Sequence, residues 1–326
     1  MKNIWQSRLG GTKPILIQAP MEGVTDTVFR QVISKCGKPD LFFTEFTNVS
    51  GLISEKGHDS VAKRLKFSPL EKPIIAQVWG NNPQDYEKAA KLIIHMGFDG
   101  IDINMGCPDR KVVKKGSCSG LINNPKLASE IIKMTKKGAG GNLPVSVKTR
   151  LGYNKIQTEE WIGFLLKFDL DAITIHGRFS RQMSRGDADW EEIGKAVRLR
   201  DKTKSKTLII GNGDIKTIQE AQEKYEKYLV DGVMIGRAIF KNIFLFDKNI
   251  DSEKVKPKEK LQLLLDHLAL WKKTWGDAKN FSDMKKFYKI YVSGFPEASD
   301  FRNKLVQINS IEEAISTVSG YIKTFL

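Results

Sequence analysis

The chain has 326 residues, of which 40% are hydrophobic and 28% charged, and its net charge is +15. That length exceeds one small core and fits one large barrel, alone or with an appended domain. No window approaches the roughly 18 apolar residues of a membrane span, and Met1-Lys2-Asn3-Ile4-Trp5-Gln6-Ser7 lacks the apolar stretch of a signal peptide.

Short β-branched runs recur along the chain with helical patterns between them. The candidate strands are Ile15–Ala19, Leu41–Glu45, Ile74–Val78, Gly100–Asn104, Val145–Lys148, Ala172–His176, Thr207–Gly211 and Gly232–Gly236. Asn82-Pro83 and Asn124-Pro125 open two of the intervening helices, predicted over Asn82–Met96 and Pro125–Lys137, because an asparagine cap with proline in the first turn is a good helix start. Eight apolar strands alternating with helices predict an α/β fold of the parallel (β/α)₈ TIM-barrel type over residues 1–250. A doubly wound sheet is the alternative, but Gln18-Ala19-Pro20-Met21-Glu22-Gly23 is not the glycine-rich dinucleotide turn that would follow its first strand. From Asp251 the strand signal stops. Lys254–Lys260 reads as a charged linker, and Leu261–Trp275, Asp283–Val292 and Ile311–Ile322 read as helices of a small all-helical domain over residues 251–326.

In such a barrel the chemistry sits at the C-terminal ends of the strands. After the fourth run comes Asn104-Met105-Gly106-Cys107-Pro108, which places an amide and a thiol in a turn. Cys107 is therefore either a ligand-facing thiol or a small buried hydrophobe. Lys148 ends the fifth run and His176 the sixth, with Arg150 and Arg178 just beyond them. An inward lysine calls for a Schiff base or an anionic partner, since an unpaired buried charge is expensive. Asn212-Gly213-Asp214 and Gly236-Arg237 follow the last two runs, where barrel enzymes frequently bind phosphate. Gln77 can donate and accept along the edge of a heterocycle. Phosphate, heterocycle edge and cation together describe a flavin mononucleotide (FMN) pocket.

The three cysteines, Cys36, Cys107 and Cys118, have neither pairing logic nor metal-ligand spacing, so reduced thiols in a cytoplasmic protein without metal are expected. Excess positive charge favours nucleic acid through counterion release. Residues 250–326 hold 13 Lys and Arg against 10 Asp and Glu, so the basic excess lies mainly upstream of them.

These residues carry a resemblance. The chain resembles the tRNA-dihydrouridine synthases, flavin enzymes that reduce uridine, through Ala19-Pro20-Met21-Glu22-Gly23-Val24-Thr25-Asp26, Gln77, Asn104-Met105-Gly106-Cys107-Pro108 and Val147-Lys148-Thr149-Arg150-Leu151-Gly152. The match continues through His176-Gly177-Arg178, Asn212-Gly213-Asp214 and Gly236-Arg237 to Met284-Lys285-Lys286-Phe287-Tyr288 and Gly294-Phe295-Pro296. The resemblance implies reduction of FMN by NADPH or NADH, hydride transfer to C6 of a uracil, and proton donation to C5 by Cys107 as general acid. It implies that Asn104, Lys148, Arg150 and Arg178 hold the substrate. Pro20, Met21, Glu22, Gln77, Lys148, His176, Asn212, Gly213, Asp214, Gly236 and Arg237 would bind FMN. An ordinary thiol pKa of about 8.5 would keep Cys107 mostly protonated at neutral pH.

The expected partner is tRNA, met by a monomer with no membrane contact. Arg110, Lys111, Lys114, Lys115, Arg178, Arg181 and Arg185 would ring the barrel mouth, and the helical domain would add Lys285, Lys286 and Lys289 as a second RNA-facing surface. Cys118, where the family tends to have small residues, is expected to be packing, and Cys36 a helix-core residue. A small-molecule flavin barrel resembling dihydroorotate dehydrogenase, a ribosomal RNA substrate and a non-catalytic RNA-binding barrel are the competing readings.

Overall fold

Strands buried on both faces read as continuous apolar runs, and eight such runs become the staves of a closed barrel. A computed structural model describes residues 4–8 and 13–325. The strands are β1 (Ile15–Gln18), β2 (Leu41–Phe43), β3 (Thr47–Asn48), β4 (Ile74–Trp79), β5 (Gly100–Met105), β6 (Val145–Arg150), β7 (Ala172–His176), β8 (Leu208–Asn212) and β9 (Gly232–Ile235). Every pairing is parallel, in the order β2-β1-β9-β8-β7-β6-β5-β4, and β2 pairs with β4 to close the ring. Closure rules out the doubly wound alternative. The two-residue β3 lies beside the end of β4 and adds no stave.

The predicted helix starts hold. Asn82 accepts from the Gln84 N–H at the head of Pro83–His95, and Asn124 from the Leu127 N–H at the head of Pro125–Ala139. Inside the barrel, alternate residues face the axis. Ile15, Ile17, Leu41, Phe43, Ile75, Ala172, Leu208, Ile210 and Met234 form one apolar cluster. On β4 to β8 the same inward faces turn polar toward the C-terminal ends, through Gln77, Asp102, Asn104, Lys148, Thr174, His176 and Asn212.

The described residues fall into two compact units, one holding those up to Thr27 with Pro39–Gly236 and the other Val28–Lys38 with those from Arg237 onward. The compositional change at Asp251 thus comes later than the change of packing at Arg237. Between them lie Ile239, Ile243, Phe244, Leu245 and Phe246, all buried. Within the second unit, Phe29 packs on Phe287 with ring centroids 4.6 Å apart, and His267 shares a 2.9 Å hydrogen bond with the Tyr291 hydroxyl.

Three expectations for this region need correction. The Lys254–Lys260 linker is half helix, because Pro257 opens a helix that runs to Trp275. Asp283–Val292 is not one α-helix but a 3₁₀ stretch, Phe281–Phe287, followed by one α-turn, Tyr288–Tyr291. A further helix, Ala298–Gln307, had no counterpart in the sequence pattern.

Candidate active site

The Cys107 turn is built by its own asparagine. Asn104 Oδ1 accepts from the N–H groups of Gly106 at 3.0 Å and Cys107 at 2.9 Å, an Asx-type turn. Its Nδ2 donates to Gln77 Oε1 at 3.0 Å. Arg150 then pins the turn from the neighbouring strand, donating from Nε to the Gly106 carbonyl at 2.8 Å. Arg150 Nη1 reaches the carbonyls of Phe179 and Met183, which ties the next loop to the same point. Asn104 and Arg150 were expected at the uracil edge, but most of their polar capacity goes to holding this turn. Nη2 is the Arg150 nitrogen outside these bonds.

The Cys107 thiol is half-buried, and its pKa is pulled down to about 7. The largest cause is a hydrogen bond from the Cys118 thiol. Burial opposes the shift, while the Asp109 N–H and the Arg150 charge assist it. At neutral pH the thiol is therefore poised between its two forms rather than held mostly protonated. A pKa near the working pH suits a proton donor. Cys118, read from sequence as packing, is fully buried, and the N–H of the next residue, Ser119, donates to the Cys107 carbonyl at 3.2 Å. Cys36 lies buried at the end of the Thr27–Cys36 helix, with its pKa pushed up to about 12 by desolvation.

Behind Asn104 stands a carboxylate that strand-end logic passes over. Asp102 is fully buried, accepting from Gln77 Nε2 at 2.8 Å and Ser146 Oγ at 2.6 Å. Burial raises its pKa to about 6. Its signal was period two: Asp102 lies two residues before Asn104 and shares its face. Lys148 Nζ donates to Asn212 Oδ1 at 3.0 Å, and Asn212 Nδ2 to the Met234 carbonyl at 2.8 Å. Desolvation, aided by the Arg150 charge, lowers the Lys148 pKa to about 8. No carboxylate pairs with this ammonium among the described residues. Thr174, opposite Lys148 in the β6–β7 register, has a buried hydroxyl oxygen with no hydrogen-bond partner among the described residues. An ammonium supported by the Asp102 charge but in no ion pair among the described residues, beside an orphaned hydroxyl, is the donor set an electron-rich polar ligand would meet.

The other predicted residues divide. His176 and Asn212 are register partners at the ends of β7 and β8. Gly213 has φ +131°, and a Cβ there would meet Ala188 Cβ at 2.6 Å. A Cβ on Gly236 would meet only Ala19 Cβ at 3.5 Å and Met21 Sδ at 3.8 Å, so Met21 and Gly236 share one wall of the mouth. Pro20 precedes them at half-buried depth.

Arg178 and Asp214 pair with each other. Arg178 also donates to the Gly186 carbonyl, and Asp214 accepts from the Ala188 N–H at 2.8 Å, so the pair clamps the 178–188 loop. Glu22 stands apart, in a 2.7 Å ion pair with Arg64 near the surface. Arg237 is exposed and opens the Arg237–Phe240 turn of the second unit. Beside Cys107, Pro108, Arg110, Lys114, Tyr153, Arg181 and Met183 help line a cavity of about 460 Å³. Three of the cations expected around the mouth therefore converge on one space.

Fold and site together define a parallel-barrel enzyme with a half-buried thiol just past the end of one strand and a half-buried ammonium on the next. The solved structures of histamine dehydrogenase from Rhizobium sp. 4-9 and of morphinone reductase share the barrel, as a likeness of fold alone. The first has a TM-score of 0.57 and 13% identity over 78% of this chain and 49% of that one. The second has a TM-score of 0.51 and 13% identity over 72% and 84%. A family model described as "Dihydrouridine synthase (Dus)" matches residues 17–325.

The chain belongs to the dihydrouridine synthase family. It is 44% identical to a "Probable tRNA-dihydrouridine synthase" of Staphylococcus aureus (strain COL), over 96% of this chain and 94% of the relative. It is 41% identical to a "Probable tRNA-dihydrouridine synthase 2" of Bacillus subtilis (strain 168), over 100% and 98%.

Proposed function

We propose that this chain is a flavin-dependent tRNA-dihydrouridine synthase. It reduces the C5–C6 double bond of specific uridines in tRNA, with FMN as cofactor and NADPH or NADH as reductant, as a monomer in the cytoplasm. The observation that carries the proposal is the Cys107 thiol held on its Asx turn after β5, beside the strand that carries an ammonium in no ion pair among the described residues. Membership of the family and the names of its relatives support the same reaction.

The donor set suits the cofactor. Lys148 and Thr174 offer polar capacity to an electron-rich ring, and Gln77, two strands from Lys148 on β4, is held by Asp102 and Asn104. Gly236, where an added Cβ would meet nothing closer than 3.5 Å, leaves room near the end of β9, where a phosphate would sit. Bound FMN, reduced by the nicotinamide, supplies a hydride to C6 of the uracil. Cys107 supplies the proton from Sγ to C5, and Arg150 Nη2 faces the uracil edge from the next strand.

The target base must leave its stack, at a cost of a few kcal/mol. Backbone contacts to Arg110, Lys114 and Arg181 around the mouth offset that cost, with residues 251–326 as a second RNA-binding surface. The decisive comparison is Cys107→Ala. The variant should keep a yellow, flavin-bound protein that oxidises NADPH, yet form little dihydrouridine in bulk tRNA. Undiminished product would refute the assignment of the acid, and a colourless protein that takes up no FMN would refute the enzyme reading.

A further inference from the structure

Asp102 closes a line of hydrogen bonds that runs to the Cys107 turn. In the register of the parallel strands Asp102 lies level with Gln77 on β4 and Ser146 on β6, and all three are fully buried. Gln77 donates from Nε2 to Asp102 Oδ2 at 2.8 Å, and its Oε1 accepts from Asn104 Nδ2 at 3.0 Å. Asn104 Oδ1 in turn accepts from the N–H groups of Gly106 and Cys107, at 3.0 and 2.9 Å. The polarity of this line is dictated at both ends, since an ionised carboxylate only accepts and a backbone N–H only donates. Each amide between them has one orientation that satisfies both neighbours. With Gln77 turned over, its Nε2 would face Asn104 Nδ2 and its Oε1 would face the carboxylate. Both contacts would leave buried polar groups unsatisfied, which is expensive.

We propose that Asp102 is a positioning residue for the reaction: accepting from Gln77, it fixes the Gln77 amide, through it the Asn104 amide, and through that the turn that carries Cys107. The proposal deepens the reading of Cys107 as the acid and rests on it, because proton delivery to C5 depends on where this turn holds Sγ. Asp102 acts through its neighbours and not on the uracil, since three hydrogen bonds separate its carboxylate from the Cys107 N–H. Ser146 is a side branch. Its Oγ donates to the other carboxylate oxygen, Oδ1, at 2.6 Å and lies off the path to Cys107. Loss of the Gln77 bond therefore reaches the turn, whereas loss of the Ser146 bond stays local.

Hydrogen exchange of the Gly106 and Cys107 amides, read by NMR on the full chain, reports the turn directly. The reference is the Ile101 amide, whose N–H donates to the Pro144 carbonyl at 3.0 Å and follows overall stability. Asp102→Ala frees the Gln77 amide to turn over, and exchange at Gly106 and Cys107 relative to Ile101 should rise on the order of tenfold, as befits the loss of one buried hydrogen bond. Asp102→Asn keeps an acceptor for Gln77 and should hold the native ratio. Ser146→Ala removes a bond to the same carboxylate but leaves the line whole, so the ratio should again be native. Gln77→Met cuts the line at its middle, should raise the ratio as alanine does, and decides the matter if Asp102→Ala does not fold. In the holoenzyme, kcat for dihydrouridine formation should fall on the order of tenfold in Asp102→Ala and be held by Asp102→Asn. A native ratio in Asp102→Ala or Gln77→Met overturns the proposal. So does an asparagine variant that behaves like alanine, or a Ser146→Ala ratio raised as far as that of Asp102→Ala. Cys107→Ala, read by dihydrouridine formation, separately decides whether Cys107 is the acid at all.

Discussion

Asp102 touches no solvent, yet it orients the polar half of the barrel through Gln77 and Ser146. Its burial also makes it a liability that pH can reveal. The folded carboxyl keeps its proton up to about pH 6, whereas an unfolded one loses it near 3.8. Between those values folding takes up a proton, so stability falls as pH rises, and above pH 6 the cost of the buried charge is fully present. A difference of that size corresponds to roughly 3 kcal/mol. Asp102→Asn keeps an acceptor for Gln77, and the Ser146 hydroxyl can rotate to accept from the new amide. The variant should therefore lose the stability slope between pH 4 and 6 and match or exceed the native protein at pH 8. Asp102→Ala strands the Gln77 amide and should cost about 1–3 kcal/mol at any pH. Calorimetry of both variants over pH 4–8 decides it; an asparagine variant as damaged as alanine at pH 8 would falsify the account of buried charge.

Helix contacts carry the next level. Gly138 sits where the Pro125–Ala139 helix meets Pro83–His95, and a Cβ there would lie 2.3 Å from the Glu87 carbonyl oxygen and 2.9 Å from Ala90 Cβ. Gly138→Ala must push the two helices apart, which outweighs the gain in helix propensity and should lower stability by about 1–3 kcal/mol. The midpoint of denaturant unfolding, compared with that of Gly320→Ala in the Ile311–Phe325 helix, checks this, since an added Cβ at Gly320 meets nothing within 4 Å.

Elements of this kind were legible where burial and capping leave local marks. The staves read as apolar runs, and Asn82-Pro83 and Asn124-Pro125 as helix starts. Ala298–Gln307 was harder to see: Ala298, Phe301 and Leu305 do follow the helical spacing, but polar residues fill every position between them. The run of lysines around Pro257 looked like a linker because charge hid the helix start. At the site, strand-end logic found Asn104, Cys107, Lys148 and Asn212. It missed Asp102, a carboxylate set inside an apolar run.

At the scale of the whole molecule the +15 charge becomes an argument only where it converges. Lys285 donates to Asn309 Oδ1 at 3.0 Å and Lys286 lies 3.6 Å from Asp283, so these two cations of the helical unit already have partners. Arg110, Lys114 and Arg181, by contrast, are exposed around one cavity beside Cys107. If they grip phosphates, affinity for tRNA depends on salt through them. Each phosphate contact contributes a slope of about −0.7 to −0.9 in log affinity against log salt. The triple variant Arg110→Glu, Lys114→Glu, Arg181→Glu should therefore flatten the slope by about two to three, measured by tRNA fluorescence anisotropy between about 50 and 200 mM salt. Bound FMN and NADPH oxidation should stay at native levels, since none of the three side chains belongs to the barrel interior. Lys285→Glu with Lys286→Glu should change the slope less, because each lysine has to leave a partner before it can reach a phosphate. A triple variant with an unchanged slope would mean that the cavity beside Cys107 does not face the RNA backbone, and that the affinity comes from cations elsewhere on the chain.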